Sequence, residues 1–92
     1  MKTFLLCLIL TYVAAEKLEK QYACPEYDVA FHDNHLFEVL TGSWSDCGQV
    51  CFYTTGCNFW TWNTETTRCY LNSSDEGLAK DTKGIAGTRE CH

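Results

Sequence analysis

The chain of 92 residues opens on an apolar run that differs from everything after it. Lys2 gives a short positive start, the segment Thr3 to Val13 is mostly apolar, and Val13-Ala14-Ala15 offers small residues for cleavage. This order is typical of a secretory signal peptide. A membrane-spanning helix needs about 20 apolar residues, so no membrane span is expected. We predict an export signal over residues 1–15, a polar lead-in over residues 16–23 and one folded domain over residues 24–92.

Residues 28–40 alternate imperfectly between apolar and polar side chains, as half-buried strands do. Two apolar runs, residues 29–31 and 36–40, flank Asp33 and Asn34. Asp and Asn tolerate the positive φ angles that tight turns require. The pattern therefore predicts a first β-hairpin with a two-residue turn, which Thr41-Gly42 brings to an end.

The next segment has the pattern of a helix. Ser43 fits an N-cap, and Asp46 three residues later completes a capping box. Apolar residues recur at steps of three and four and make one face: Trp44, Cys47, Val50 and Cys51. Gly56 stands where a helix can end in a left-handed residue. We predict a helix over Ser43–Thr55, whose last turn is weakened by two threonines.

Strand-forming residues follow the predicted helix. The segments Cys57–Asn63 and Thr67–Leu71 are rich in aromatic and β-branched side chains, with Thr64-Glu65-Thr66 as the turn between them. Residues 72–83 are polar and are predicted to form a surface loop. Residues 85–89 are predicted to form a short closing strand before the last cysteine.

Cysteine is the most informative residue type in the chain. Cys7 would leave with the export signal, and six remain: Cys24, Cys47, Cys51, Cys57, Cys69 and Cys91. An even number in a short exported chain predicts three disulfides formed in an oxidising compartment. A chain of this size buries a small core and needs such links. A zinc site is the alternative, but only Cys47 and Cys51 have ligand spacing, so we expect neither metal nor cofactor.

The spacing of the cysteines favours a nested pairing. Cys47 and Cys51 lie on one helical face with parallel side chains, which makes a bond between them strained. Cys57 follows the helix closely enough to pair with Cys51, and Cys47 can then reach Cys69 on the neighbouring strand. The two outer cysteines would pair with each other. This is one of fifteen possible pairings, and spacing alone leaves the others open.

Charge and chemistry exclude several functions. The net charge is −5, it becomes one unit more negative without Lys2, and there is no basic run, which excludes nucleic acid and anionic membranes as primary partners. Nucleophilic catalysis needs a nucleophile beside a base, and paired cysteines leave the histidines His32, His35 and His92 without one. We therefore predict no catalytic residue. The acidic residues Asp75, Glu76 and Asp81 lack the alternating spacing of a calcium loop.

Taken together, these motifs resemble a PAN/apple domain over Cys24–Cys91. The resemblance is carried by the C-x3-C helix, the C-x-x-W-x-W strand, the Cys-Tyr-Leu strand and the closing segment Gly-Ile-Ala-Gly-Thr-Arg-Glu-Cys. The matching positions are Cys47, Cys51, Cys57, Trp60, Trp62, Cys69, Gly87 and Cys91. The first and last cysteines place the chain with the six-cysteine apple type.

The resemblance implies a fold, a disulfide pattern and a class of function. The fold is α+β, a small disulfide-rich PAN/apple fold in which a curved antiparallel sheet cradles one helix. The implied bridges are Cys24–Cys91, Cys47–Cys69 and Cys51–Cys57. PAN/apple domains bind proteins or carbohydrates and have no catalytic site. We therefore expect a secreted binding module for an extracellular protein or glycan, with its ligand and oligomeric state left open.

Two other interpretations of the function compete with this one. A venom or salivary effector that blocks a host target would have the same size and disulfide content. A structural component of a secreted extracellular matrix would suit the acidic charge. The tissue in which the transcript is made would distinguish them.

The candidate binding residues come from two segments. Asn72-Ser73-Ser74 is an N-glycosylation sequon in a predicted loop, and a glycan there would cover one edge of the domain. We therefore place the contact on the opposite side, on two sets of residues: His32, Asp33, Asn34 and His35 of the predicted first hairpin, and Gln49, Phe52 and Tyr53 on the outer face of the helix. A competing hypothesis is that Phe52 or Tyr53 packs under a loop.

Trp60 and Trp62 lie two apart and share one face of their predicted strand. They would serve either as an aromatic platform for a ligand or as core beneath the helix. The shortage of aliphatic residues favours the core.

Overall fold

The computed structural model describes residues 22–33 and 35–92. The predicted export signal and most of the predicted lead-in lie outside the described residues. The described part consists of β1 (Glu26–Phe31), β2 (His35–Leu40), α1 (Trp44–Tyr53), β3 (Phe59–Asn63), β4 (Arg68–Asn72) and β5 (Leu78–Thr88). One helix on one antiparallel sheet confirms the predicted α+β class.

The sheet has the order β1-β5-β3-β4-β2, and all neighbouring strands are antiparallel. The predicted first hairpin is wrong, because β1 pairs with β5 and β2 pairs with β4 at opposite edges of the sheet. Alternation of apolar and polar residues marks a half-buried strand but does not specify its partner. β1 and β2 follow each other in the chain but do not pair with each other in the sheet.

The second half of the predicted polar loop is a strand. β5 begins at Leu78, and its first residues pair with the end of β1, as in Val29 with Lys80 and Phe31 with Leu78. Most of this part of β5 is exposed, and exposed strand positions take polar side chains. The apolar pattern begins only where β5 enters the core at Gly84, which is why the sequence indicates a shorter strand.

Helix α1 begins as predicted and ends earlier than predicted. The Ser43 hydroxyl oxygen accepts a hydrogen bond from the Asp46 backbone N–H at 3.1 Å, so the N-cap is formed. Thr54 already has extended backbone angles, and its N–H donates to the carbonyl of Cys51. Gly56 follows with φ +87°, the left-handed conformation expected after a helix end. The β-branched pair at 54 and 55 therefore lies outside the helix.

The core between helix and sheet is made largely of cysteine and tryptophan. Trp60 is fully buried and stacks on Trp44, with ring centroids 5.9 Å apart and planes within 7°. Its indole N–H donates to the carbonyls of Thr88 and Cys91 at 3.0 and 2.9 Å, so the ring carries no unpaired polar atom into the core. Trp62 is half-buried and packs against the same cluster. Both rings serve as core.

Three disulfides join Cys24 to Cys91, Cys47 to Cys69 and Cys51 to Cys57. This is the nested pattern of the six-cysteine apple type. The bridged residues are separated by 67, 22 and 6 positions. Loop-closure entropy assigns them about 4, 3 and 2 kcal/mol of stabilisation respectively. For a core this small such contributions decide whether the domain folds.

Two glycines allow the elements to approach closely. A Cβ on Gly48 of the helix would lie 2.3 Å from the carbonyl oxygen of Cys91, and one on Gly87 would lie 2.5 Å from Cζ2 of Trp60. Neither neighbouring atom can move away, because the first belongs to the backbone of Cys91 and the second to the Trp60 ring at the centre of the core. The helix can lie against the C-terminal segment, and β5 against Trp60, only without these side chains.

Peptide mapping under non-reducing conditions should recover the three bridges as separate linked fragments. After cleavage between the cysteines, the Cys47 peptide should remain linked to the Cys69 peptide alone, because the two residues are disulfide-bonded and fully buried. A Cys47 peptide linked to Cys24 or Cys91 would overturn both the pairing and the apple-type assignment.

Thr67→Gly should stabilise the domain. Thr67 follows the turn between β3 and β4 with φ 59°, a conformation that strains a β-branched residue and suits glycine. We expect the free energy of unfolding to rise by about 0.5–1 kcal/mol, measured by urea denaturation. The matched control is Thr66→Gly, the neighbouring exposed threonine, which should leave stability unchanged or lower it. Equal effects of the two substitutions would contradict the strain at Thr67.

Candidate functional site

The sheet presents two different faces. Successive side chains on a strand point to opposite sides. Trp60 and Leu71 therefore lie beneath the helix, while Thr61 of β3 and Tyr70 of β4, which are paired with each other, lie on the far face. The candidate binding residues divide between these two sides.

The outer surface of the helix carries an exposed tyrosine. Tyr53 is 80% exposed and, with Gln49 and Val50, borders a shallow depression. Gly48 packs against Cys91 and His92 on one flank of the helix, while Val50 and Tyr53 lie on the other flank. The second flank is open to a partner.

Phe52 has a different environment from Tyr53. Its ring is half-buried against the imidazole of His92, with centroids 4.8 Å apart, and the guanidinium carbon of Arg89 lies 5.6 Å from its centre. It also meets the Tyr53 ring edge-on at 5.1 Å. The structure therefore places Phe52 in a packed cluster with the C-terminal segment.

Arg89 closes the C-terminal end of the helix. One of its guanidinium nitrogens donates to the carbonyls of Cys51, Thr54 and Cys57 at 3.3, 3.0 and 2.8 Å, and the other donates to Phe52 at 2.6 Å. The last carbonyls of a helix lack partners within it and carry partial negative charge. Sequence reasoning missed this role. The available signal was that the last turn of the helix has no basic residue of its own.

Strand β2 carries large apolar side chains that are exposed. Leu36 is 49% and Phe37 51% exposed, and Val39 is also exposed. Phe37 and Val39 pair with Leu71 and Cys69, which lie beneath the helix, so they point to the helix side of the sheet.

Leu36 lies on that side as well, because its Cδ1 is 3.9 Å from where a Cβ of Gly56 would be, just beyond the helix end. We call Leu36, Phe37, Val39 and Tyr53 the β2–helix patch. Sequence reasoning had placed residues 36–40 inside a hairpin and so did not consider them as a surface.

The charged side chain of β2, Glu38, points away from the patch. Glu38 pairs with Tyr70 in the sheet register and so lies on the far side, where it accepts a hydrogen bond from the guanidinium of Arg68. This hydrogen bond and the attraction to the Glu38 carboxylate raise the pKa of Arg68 above its usual value. The β2–helix patch itself contains no ionisable side chain apart from the Tyr53 phenol.

The far face of the sheet contains a cavity of about 150 Å³. Its apolar floor includes Ala30, Phe31 and Gly84, and six polar or aromatic side chains complete its lining: His32, His35, Thr61, Asn63, Tyr70 and Asp81. We call it the far-face cavity.

The walls of the far-face cavity are held by internal contacts. The His35 Nε2–H donates to the carbonyl of Phe31 at 3.0 Å, and its ring lies on that of Tyr70 with centroids 4.6 Å apart. The Phe31 N–H donates to the hydroxyl oxygen of Thr61 at 2.9 Å. On the rim, His32 Nε2 lies 3.5 Å from an oxygen of Asp81. The cavity is therefore formed before any ligand arrives.

The two sets of candidate residues do not form one surface. His32 and His35 line the far-face cavity, whereas Gln49 and Tyr53 lie on the helix, on the other side of the sheet. The carbonyl of Asp33 accepts a hydrogen bond from the Asn72 side chain. Asn34 lies outside the described residues.

Asn72 is not in an exposed loop. It is the last residue of β4, it has no exposed surface, and its Nδ2 donates to the carbonyl of Asp33 at 2.7 Å. A glycan would have to be attached to this buried, bonded nitrogen, so the predicted exposed glycosylation site does not fit the folded domain. A sequon records residue identity and spacing, and neither reveals burial.

Within residues 22–33 and 35–92, no group of three His, Cys, Asp or Glu side chains is placed to hold a metal ion. Helix α1, the single helix found there, is too short and too polar to cross a membrane.

Comparison with known proteins matches this geometry to one family. A family model described as PAN domain matches residues 31–72. A PAN module from Eimeria tenella has 21% identity and a TM-score of 0.58, and the match covers 85% of this chain and 92% of that module. The fold, the family model and the three bridges agree. The described chain has the PAN/apple fold, and residues 31–72 match the PAN domain model.

Other solved structures share the PAN/apple fold. The two N-terminal apple domains of Toxoplasma gondii microneme protein 4 have 21% identity and a TM-score of 0.66, with 80% of this chain and 47% of that fragment covered. AMA1 from Babesia divergens has 18% identity and a TM-score of 0.63, with 71% of this chain and 26% of that protein covered. The chain thus spans about half and about a quarter of these two. No curated protein matches it in sequence.

Arg89→Lys should destabilise this PAN/apple domain. Lysine keeps the charge but lacks the planar fork that reaches four carbonyls. We expect the free energy of unfolding to fall by about 2–3 kcal/mol in urea denaturation. Arg68→Lys is the matched control, because Arg68 is an exposed partner of Glu38 and should change stability by less than about 1 kcal/mol. Equal losses in the two variants would contradict the capping role.

Proposed function

We propose that this protein is a secreted, non-catalytic PAN/apple module that binds an extracellular protein through the β2–helix patch. PAN/apple modules mediate protein or carbohydrate interactions and are non-catalytic. The observation that carries the proposal is the joint exposure of Leu36, Phe37 and Tyr53 on one side of the molecule.

The exposure of the patch is unusual for a domain with so small a core. Soluble proteins seldom leave large apolar side chains grouped on the surface unless a partner covers them. β2 is also an edge strand, so the backbone groups on its outer side are open to a partner. The other edge, β1, is interrupted by a register shift between Tyr27 and Val29, where Asp28 has φ 64°. β2 has a register shift only at its start, between His35 and Phe37, and pairs regularly from Phe37 to Leu40. Of the two edges, β2 is therefore the one better suited to association.

The chemistry of the patch favours a protein over a glycan. Sugar sites combine an aromatic ring with several hydrogen-bonding groups that recognise hydroxyls. The patch supplies two aromatic rings and two aliphatic side chains, with the Tyr53 hydroxyl as its single side-chain polar group. Buried aromatic anchors of this kind dominate the energy of protein–protein interfaces.

Secretion forms part of the proposal. The support is the signal-like sequence of residues 1–15 and three disulfides, which persist in oxidising compartments. Residues 24–92 would then be the functional domain. N-terminal sequencing of the exported protein should begin at Glu16. A mature protein that retained Met1 would contradict the export signal.

Tyr53→Ser and Phe37→Ser should each weaken binding to the extracellular partner by about tenfold or more. The partner would be captured from the source fluid on immobilised wild-type domain and identified, and its affinity for each variant would be measured by surface plasmon resonance. Melting temperatures should stay close to that of the wild type, because both side chains are exposed. Phe52→Ser, by contrast, should lower the melting temperature, because its ring packs on His92 and Arg89.

Tyr27→Ser and Leu78→Ser are matched controls. Both residues are exposed, and they lie on β1 and β5, away from the patch. The controls should bind normally. If Tyr53→Ser and Phe37→Ser also bound normally, or if a glycan array gave the sole binding signal, the proposal would be wrong.

A further inference from the structure

We propose that the far-face cavity is a second binding site, one that accepts a primary ammonium group. The group would be carried by a small amine or by the end of a lysine side chain. The site lies on the side of the sheet opposite the β2–helix patch and is independent of the function proposed for that patch.

The cavity has the form of a binding site because its walls are fixed. Phe31 is buried and packs on Phe59, with ring centroids 5.2 Å apart, while its N–H is bonded to Thr61. The rings of His35 and Tyr70, in contact and tilted by 31° to each other, form another wall. A preformed cavity of about 150 Å³ suits a small group, such as the end of a lysine side chain, and loses little entropy when it is occupied.

The charge of the lining selects a cation. Asp81 is the one acidic residue of the lining, and neither lysine nor arginine is among the lining residues. The Lys83 backbone N–H donates to Asp81 Oδ1, while the Lys83 ammonium lies 3.4 Å from Glu65. Among the described residues the ion partner of Asp81 is therefore His32, which is cationic only when it is protonated.

The remaining groups complement an ammonium ion. It donates three hydrogen bonds, and Asp81 offers a carboxylate oxygen that faces His32 across 3.5 Å, beyond normal hydrogen-bond length. The rings of Tyr70 and His35 present π surfaces that attract cations when the imidazole is neutral. A carboxylate or phosphate ligand would be repelled by Asp81. The cavity thus favours amines over anionic ligands.

The proposal can be tested by NMR titration of the ¹⁵N-labelled domain with four probes. The probes are Nα-acetyl-lysine methylamide, its Nε-acetylated form, n-butylamine and D-galactose. We expect saturable shifts at the amides of Thr61, Tyr70 and Gly84 with the two amines, and none with the acetylated probe. If the lysine probe binds more tightly than n-butylamine, the natural ligand is a lysine side chain of a protein. If the two bind equally, the natural ligand is a free amine.

Asp81→Asn should weaken amine binding by about tenfold or more, because it removes the charge and keeps the shape. Glu90→Gln is the matched control, an exposed residue outside the cavity lining whose loss of charge should leave binding within about twofold. Tyr70→Leu provides a second variant that removes an aromatic wall. Equal binding of the acetylated probe, binding of galactose alone, or no effect of Asp81→Asn would each overturn the proposal.

Discussion

The attachment of α1 to the sheet by Cys47 and Cys51, one helical turn apart, is the constraint on which the rest of the structure depends. One cysteine bonds to β4 and the other to the segment that leads into β3. The core has few large aliphatic side chains, with Leu71 and Ile85 the ones that are fully or nearly buried. The two bridges therefore fix the distance between helix and sheet at which Trp60 fills the space.

The C-terminal segment completes this arrangement from the other side. Cys91 ties the end of the chain to Cys24, and its carbonyl lies against Gly48 of the helix. Arg89 then satisfies the carbonyls at the end of α1, which have no following helical turn to pair with. Phe52 becomes part of the packing because it lies between Arg89 and His92. Tyr53, one residue further along, is left free for contact.

The sequence predicted most of what depends on local chemistry. Three features depend on residues that are close together in the sequence, and the structure contains all of them: the N-cap at Ser43, the cysteine face of the helix and the β3–β4 hairpin. β1 pairs with β5 and β2 pairs with β4, which are distant in the chain. Residues in the local turn do not indicate these partners.

The same distinction applies to the sites. Asn72 lies in a sequon, yet it is buried, and its side chain is bonded to Asp33, which lies 39 positions away. The far-face cavity combines His32 and His35 with Asp81 and Tyr70, which belong to β5 and β4. Sequence reasoning could select the two histidines as candidates, but it could not find their neighbours.

The single sheet separates the two surfaces by the thickness of one layer of backbone. A macromolecule on the helix side would cover neither His32 nor Asp81, and a group seated among them would leave Phe37 and Tyr53 uncovered. With both proposed sites occupied, the domain would be bivalent. It would then be a rigid adaptor that joins two different molecules back to back, with their spacing set by the fold itself.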